Sequence, residues 1–306
     1  MRKSAAVTRI FPCIVMCLLL FGITNAIYAQ PGPSFSVSYD FFPYQNFDDP
    51  DMALLDEVEV QVTALNLAAS YPFVFSLGRT VLVNEISYQL REIDYKNWNF
   101  ELGKEPNIKR LHAVKYTLTL RHVLSQKWYM LALTTPGLAS DFEADVSSDD
   151  FTFEAAVVFV RQFSERWALG FGAAYSNQFG EPLPLPVLAF EWNNGSNLRA
   201  NGIVPVNLEF WYLPNPKLEL GLVVRGDGNR YHGDPDIYGV DNPQARYSAL
   251  TLGPSARIHL SKALHLNVEG GFIPFHRFEF YDGDEKDSNY SLKPGGYLRA
   301  GIQIGG

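Results

Sequence analysis

Two stretches of this chain carry carboxylates at the close spacing that a hard cation such as calcium needs. The first is Asp282-Gly283-Asp284-Glu285-Lys286-Asp287. Lys286 falls where a ligand should stand and the EF-hand glycine is absent, so the stretch reads as a solvated acidic loop. The second, Asp227 to Asp241 with His232, Asp234 and Asp236, reads the same way. On the outer side of a cell envelope, divalent cations held there would bridge both stretches to anionic lipopolysaccharide. A second chemistry, lipid deacylation, needs a serine and a histidine within about 3 Å. Ser255 and His259 share a strand face with Arg257 between them, but four residues of extended chain separate them by about 13 Å. His265 falls opposite His259 across Ser261-Lys262, which sets two imidazoles side by side near a strand end. The chain shows no nucleophile elbow, phosphate loop or zinc signature, so no catalytic group, cofactor or metal is expected.

The elements that would position these residues are strands, because apolar and polar residues alternate with period 2 along most of the chain. In Val114 to His122, Val114, Tyr116, Leu118 and Leu120 alternate with Lys115, Thr117, Thr119 and Arg121. Lys217 to Arg225 and Leu298 to Ile304 repeat the pattern. Tight polar turns recur at Ser125-Gln126-Lys127, Ser164-Glu165-Arg166, Pro214-Asn215-Pro216 and Ser261-Lys262. The other connections are longer and rich in Asp, Gly and Asn: Asp94 to Ile108, Ser140 to Asp150, Gly226 to Gln244, and Asp282 to Asn289. Short turns at one end and long loops at the other are the asymmetry of outer-membrane barrels. Trp128, Trp167, Trp211 and Tyr212 all lie close to a tight turn, the place of an aromatic girdle at a membrane interface.

The pattern predicts an all-β fold, a transmembrane antiparallel up-and-down β-barrel of about 12 to 14 strands. The first stretch, from Phe35, and the region Asn193 to Val204 leave the count open between those two numbers. Many strands reach the roughly 9 to 11 residues that a tilted strand needs to cross a bilayer. A soluble secreted β-sandwich is the alternative fold.

Residues 1–29 run from a basic start (Arg2, Lys3, Arg9) through an apolar stretch to Ala29, the order of a secretory signal peptide, which leaves 30–306 as the barrel. Both cysteines, Cys13 and Cys17, fall in the signal, so the exported chain has neither disulfides nor thiolate metal sites. It carries 22 Lys and Arg against 33 Asp and Glu, a net charge of −11 that argues against nucleic acid as a partner.

The Ala-Gln signal end, the repeated Ser125-Gln126-Lys127-Trp128 and Ser164-Glu165-Arg166-Trp167 hairpins and the aromatic strand ends carry a resemblance. The chain resembles envelope barrels of Bacteroidota and related Gram-negative bacteria, in particular an uncharacterised family known only as a domain of unknown function. The resemblance implies a fold and an outer-membrane location and assigns no active residues. It also implies outer-membrane lipid, lipopolysaccharide and the barrel-insertion machinery as partners, although the chain ends Ile304-Gly305-Gly306 without the terminal aromatic which that machinery reads in many barrels.

Within such a barrel the alternation assigns Glu59, Lys115, Arg121, Glu219, Arg225, Arg257, His259, Glu269 and Arg299 to the lumen. That mixed-charge set suits a porin-like channel or transporter for small solutes. It equally suits a non-transporting structural or adhesive protein whose lumen is closed by ion pairs. A lipid-modifying enzyme is the third reading.

Overall fold

The computed structural model describes residues 32–48, 57–97, 109–176, 183–234, 242–283 and 285–305; the expected signal lies outside them. The strands are β1 (Ser34–Asn46), β2 (Glu59–Phe75), β3 (Thr80–Lys96), β4 (Arg110–Val123), β5 (Trp128–Ser140), β6 (Phe151–Ser164), β7 (Trp167–Ser176) and β8 (Leu183–Asn193). They continue with β9 (Leu198–Val204), β10 (Asn207–Asn215), β11 (Leu218–His232), β12 (Pro243–His259), β13 (Leu264–Asp282), β14 (Glu285–Ser291) and β15 (Gly295–Gly305). Each of β1 to β13 pairs antiparallel with the next, and β15 pairs with both β13 and β1, which closes the ring. β14 and β15 follow each other along one edge of β13, against Arg277–Asp282 and Leu264–Ile273 respectively. Together they fill one wall position, so this is a closed, up-and-down barrel of fourteen strands. Of the two stretches doubtful in sequence, the one from Phe35 forms β1, and Asn193 to Val204 supplies the turn between β8 and β9 and then β9 itself.

The recurrent Ser-x-Lys/Arg sequence has a local cause. The Lys127, Arg166 and Ala263 amides donate to the hydroxyls of Ser125, Ser164 and Ser261 two residues earlier, and Lys217 N–H donates to Asn215 Oδ1. A side chain that mimics a backbone turn fixes each hairpin without a glycine. All four turns lie at the same end of the barrel.

Over most of its height the wall follows the alternation expected of a membrane barrel. Phe153, Val157, Phe159, Leu169, Phe171 and Leu188 point outward and are exposed, whereas Val158, Val160, Ala168 and Val187 between them are buried. An outer surface this apolar is stable only against lipid.

Near the end that carries the longer connections the pattern inverts. Val58, Val60, Val62 and Ile93 face inward and join Phe42, Leu111, Tyr231, Tyr247, Ile273, Phe278 and Tyr297 in a buried core that fills the barrel there. Glu59 and Lys96, directly opposite each other, take the outer face instead. The physical reason is solvent: beyond the bilayer the outside is water, so polar residues belong outside and apolar ones gain by burial within.

Two expected loops are in part strand. β11 runs to His232 and β12 begins at Pro243, so Asp227 to His232 form wall; the expected loop Asp282 to Asn289 is mostly β14. Asp, Gly and Asn are turn formers by composition, but fifteen register pairs from Leu218↔Ile258 to His232↔Gln244 hold them extended. Asp236 and Asp241 lie outside the described residues, as does Asp284.

β11 also reaches across the ring while it stays paired with β12. His232 pairs in parallel with Ser140 of β5, which stands on the far side of β6 to β10 in the ring. Asp141 N–H and the Ser140 hydroxyl both donate to the His232 carbonyl, at 3.2 and 2.9 Å. This crossing divides the upper interior and sets β6 to β8 apart as a side lobe; lower down, toward the tight turns, Tyr129 of β5 joins Val158, Val160, Ala168, Val187 and Ala189 of β6 to β8 in a second apolar cluster.

Candidate functional site in the barrel interior

Most of the charged residues assigned to the lumen converge on one strip, built from neighbouring strands β9 to β13, β15 and β1. Glu219 on β11 accepts from Arg199, from Arg257 Nη1 at 3.2 Å and from His259 Nε2 at 3.1 Å. The Nδ1 atoms of His259 and His265, register partners on β12 and β13, are 2.7 Å apart. Glu269 accepts from the Tyr297 hydroxyl at 2.9 Å and pairs with Arg225 and Arg299, both at 3.5 Å. Arg299 in turn grips Asp40 with Nε and Nη2, at 2.6 and 2.9 Å. A cavity of about 210 Å³ lies among Trp211, Arg225, Ser255, Arg257, Glu269 and Arg299. Alternating signs along the strip let each buried charge find a partner, which a low-dielectric interior demands.

The other assigned residues lie elsewhere. Lys115 binds Glu154 of β6 at 2.7 Å. The Arg121 guanidinium stands 4.6 Å from the centre of the Tyr129 ring, whose hydroxyl donates to Glu191. Glu59 is on the outer face, for the reason given above, and does not join the set.

Of the four girdle residues, Trp167 and Tyr212 are exposed on the outer wall, and Trp128 alternates onto that face too. Trp211 is corrected: it is 3% exposed, donates from Nε1 to Glu209 at 2.9 Å and lies under the guanidinium groups of Arg199 and Arg257. Adjacent residues on a strand face opposite ways, so Trp211 and Tyr212 cannot both meet lipid.

Ser255 and His259 are not brought together. The Ser255 hydroxyl donates to the Val268 carbonyl, while His259 engages His265 and Glu219. Among the described residues no group of three or more metal-ligating side chains converges.

Sequence reading missed the largest buried charge. Arg91 on β3 is fully buried in the upper core; Nη2 donates to Asp227 at 2.7 Å and Nη1 to the Tyr231 hydroxyl at 3.0 Å, and its guanidinium stacks 3.5 Å from the Tyr247 ring centre. The Tyr231 hydroxyl donates onward to Gln89. These partners sit on β11 and β12, across the interior from β3. The signal was present: Ser87, Gln89, Arg91 and Ile93 alternate against Ile86, Tyr88 and Leu90.

A closed barrel with an apolar outer wall and an ion-paired interior defines a transmembrane β-barrel protein. The chain belongs to the family described as Domain of unknown function (DUF6268), which it matches over residues 25–305. No curated protein matches it. Among solved structures it is similar to an outer-membrane channel of Pseudomonas putida F1, with 10% identity, coverage of 92% of this chain and 99% of that one, and a TM-score of 0.49. It is also similar to the toluene transporter TodX of P. putida (9% identity, 91% of each chain, TM-score 0.46). A third is OccAB4 of Acinetobacter baumannii (10% identity, 90% of this chain and 98% of that one, TM-score 0.33).

Proposed function

We propose that this protein is an outer-membrane barrel of the envelope of Bacteroidota or a related Gram-negative group, exported by residues 1–29, which passes small solutes by a selective route rather than through an open axial pore. The observation that carries this reading is the contrast between the two halves of the interior. The membrane-spanning half keeps cavities and a strip of paired charges, whereas the outer half is filled by the core around Arg91. An open pore would have left Arg91, Tyr231 and Tyr247 hydrated; all three are fully buried.

The same filled core favours a second reading, a non-transporting structural or adhesive barrel. Conductance of the refolded mature protein in planar bilayers separates the two. A selective transporter gives small, infrequent openings in the wild type and larger ones in Arg91→Ala, which removes the centre of the core. Silence in both, from protein whose heat-modifiable band shows it folded, would leave the structural reading.

A further inference from the structure

The short hairpin of β9 and β10 leaves a notch in the barrel wall. β9 has seven residues and β10 nine, and their turn at Pro205-Val206 ends level with Gly226, whose N–H donates to the Val206 carbonyl at 2.9 Å. Above that turn β8 continues from Val187 to Leu183 paired only with β7. β11 continues from Asp227 to His232 paired with β12, turning inward to β5. Among the described residues no strand fills the space between them.

The floor of this notch lies in the lipid-facing belt. Following the hydrogen-bonded rows, Val204 pairs with Leu188, Leu188 with Phe171 and Phe171 with Phe159, all exposed on the outer wall. On the other side Gly226 pairs with Leu250 and Leu250 with the exposed Phe275.

Directly behind the notch the side lobe holds a cavity of about 160 Å³, lined by Leu133, Val158 and Ile203, by Val187 on the β8 flank and by Val206 at the turn itself. Ala156 and Ala174, paired across β6 and β7, leave it empty where larger residues would fill it. The carboxylate at its edge, Glu154, is neutralised by Lys115. A second cavity of about 140 Å³ shares Leu131 and Ile203 with the first and leads down β5 and β8 to Tyr129 and Glu191. An apolar cavity of about 150 Å³ stays dry and takes a molecule the size of benzene.

We propose that small apolar molecules, of about the size of a single aromatic ring, reach the interior from the bilayer through the notch between β8 and β11 and occupy the cavity behind it. The inference rests on the small-solute reading above and names its substrate class and its point of access. The apolar belt supplies the solute already dissolved in lipid, and the cavity offers it a dry wall without crossing the filled outer core.

The test uses the absence of cysteine from the mature chain. Ala174→Cys, and Ala156→Cys as a second variant, are reconstituted in lipid vesicles and judged folded by heat-modifiable mobility. They are then treated with an apolar benzyl thiosulfonate or a charged trimethylammonium-ethyl thiosulfonate. The apolar reagent is expected to react at least tenfold faster, and Gly226→Trp, placed at the notch floor where a Cβ meets only the Val206 carbonyl at 3.5 Å, to slow it at least fivefold. Equal rates for the two reagents would show a water-filled cavity and overturn the lateral apolar route while leaving small-solute passage standing. Failure of both reagents to react, or no effect of Gly226→Trp, would also overturn it. Silent bilayers in the conductance experiment would bear on the transport reading alone.

Discussion

Arg91 and Asp227, 136 positions apart in the chain, meet at 2.7 Å across the interior of the barrel. One end of the pair is fully buried and the other is 21% exposed, so the charges face each other where water is scarce. The bond ties β3 to β11 and holds β11 on its inward path toward β5. The pair and the two tyrosines around it thus sit in the core that fills this half, beside the direct bonds of His232 to Ser140 and Asp141.

Removing one member of the pair leaves the other charge buried. Asp227→Ala is expected to destabilise the barrel by about 3–5 kcal/mol, the range for a broken buried pair, whereas Arg91→Met with Asp227→Leu recovers most of the loss. Urea unfolding in detergent, followed by tryptophan fluorescence, measures both. Additive effects of the two positions would show that no strong coupling exists between them.

Brominated lipids test the placement of the tryptophans. In single-tryptophan variants Trp167, exposed on the outer wall, is expected to be quenched strongly, and Trp211 weakly or not at all. Quenching of Trp211 equal to that of Trp167 would return it to the girdle.

The strand path was legible because lipid imposes a period of 2 on every crossing, and the tight turns write their side-chain hydrogen bonds as Ser-x-Lys/Arg. The strip around Glu219 and Glu269 was legible for the same reason: a charge inside the membrane region can only face inward. What the sequence hid follows from changes of solvent. Glu59 looked lumenal because the polar-inside rule was carried past the bilayer, where it reverses. Asp227 looked like a loop because its neighbours Gly226, Gly228 and Asn229 are turn formers, and pairing with β12 overrides that composition. The notch was invisible, since it depends on how far β9 and β10 rise beside longer neighbours and not on any residue's type.

Glu219 gathers Arg199, Arg257 and His259 around one carboxylate. Glu219→Gln leaves two guanidinium groups facing each other. Both are about one-third exposed, so the loss should be about 2 kcal/mol, below that of a fully buried pair. Glu92→Gln, at an ion pair whose side chains are 68% and 51% exposed, should leave stability unchanged within error. The same urea titrations decide it, and equal effects at the two sites would show that burial does not set their strength.

The crossing of β11 to β5 can be locked. Ser140 and His232 are register partners in a parallel pair, and neighbouring strands lie about 4.8 Å apart, inside the Cα separation that a disulfide spans. In protein refolded from residues 30–306, which contain no other cysteine, Ser140→Cys with His232→Cys is expected to cross-link on mild oxidation. The product should migrate faster on denaturing gels until reduced. The control pair Ser140→Cys with Tyr212→Cys, on opposite faces of the wall, should not react. Closing a loop of about 92 residues restricts the unfolded chain by roughly 4 to 5 kcal/mol, so the oxidised form should also keep its folded mobility to a higher temperature than the reduced form. If the thiols stay free under conditions that oxidise small dithiols completely, β11 does not reach β5 in the membrane. The side lobe would then open into the main interior.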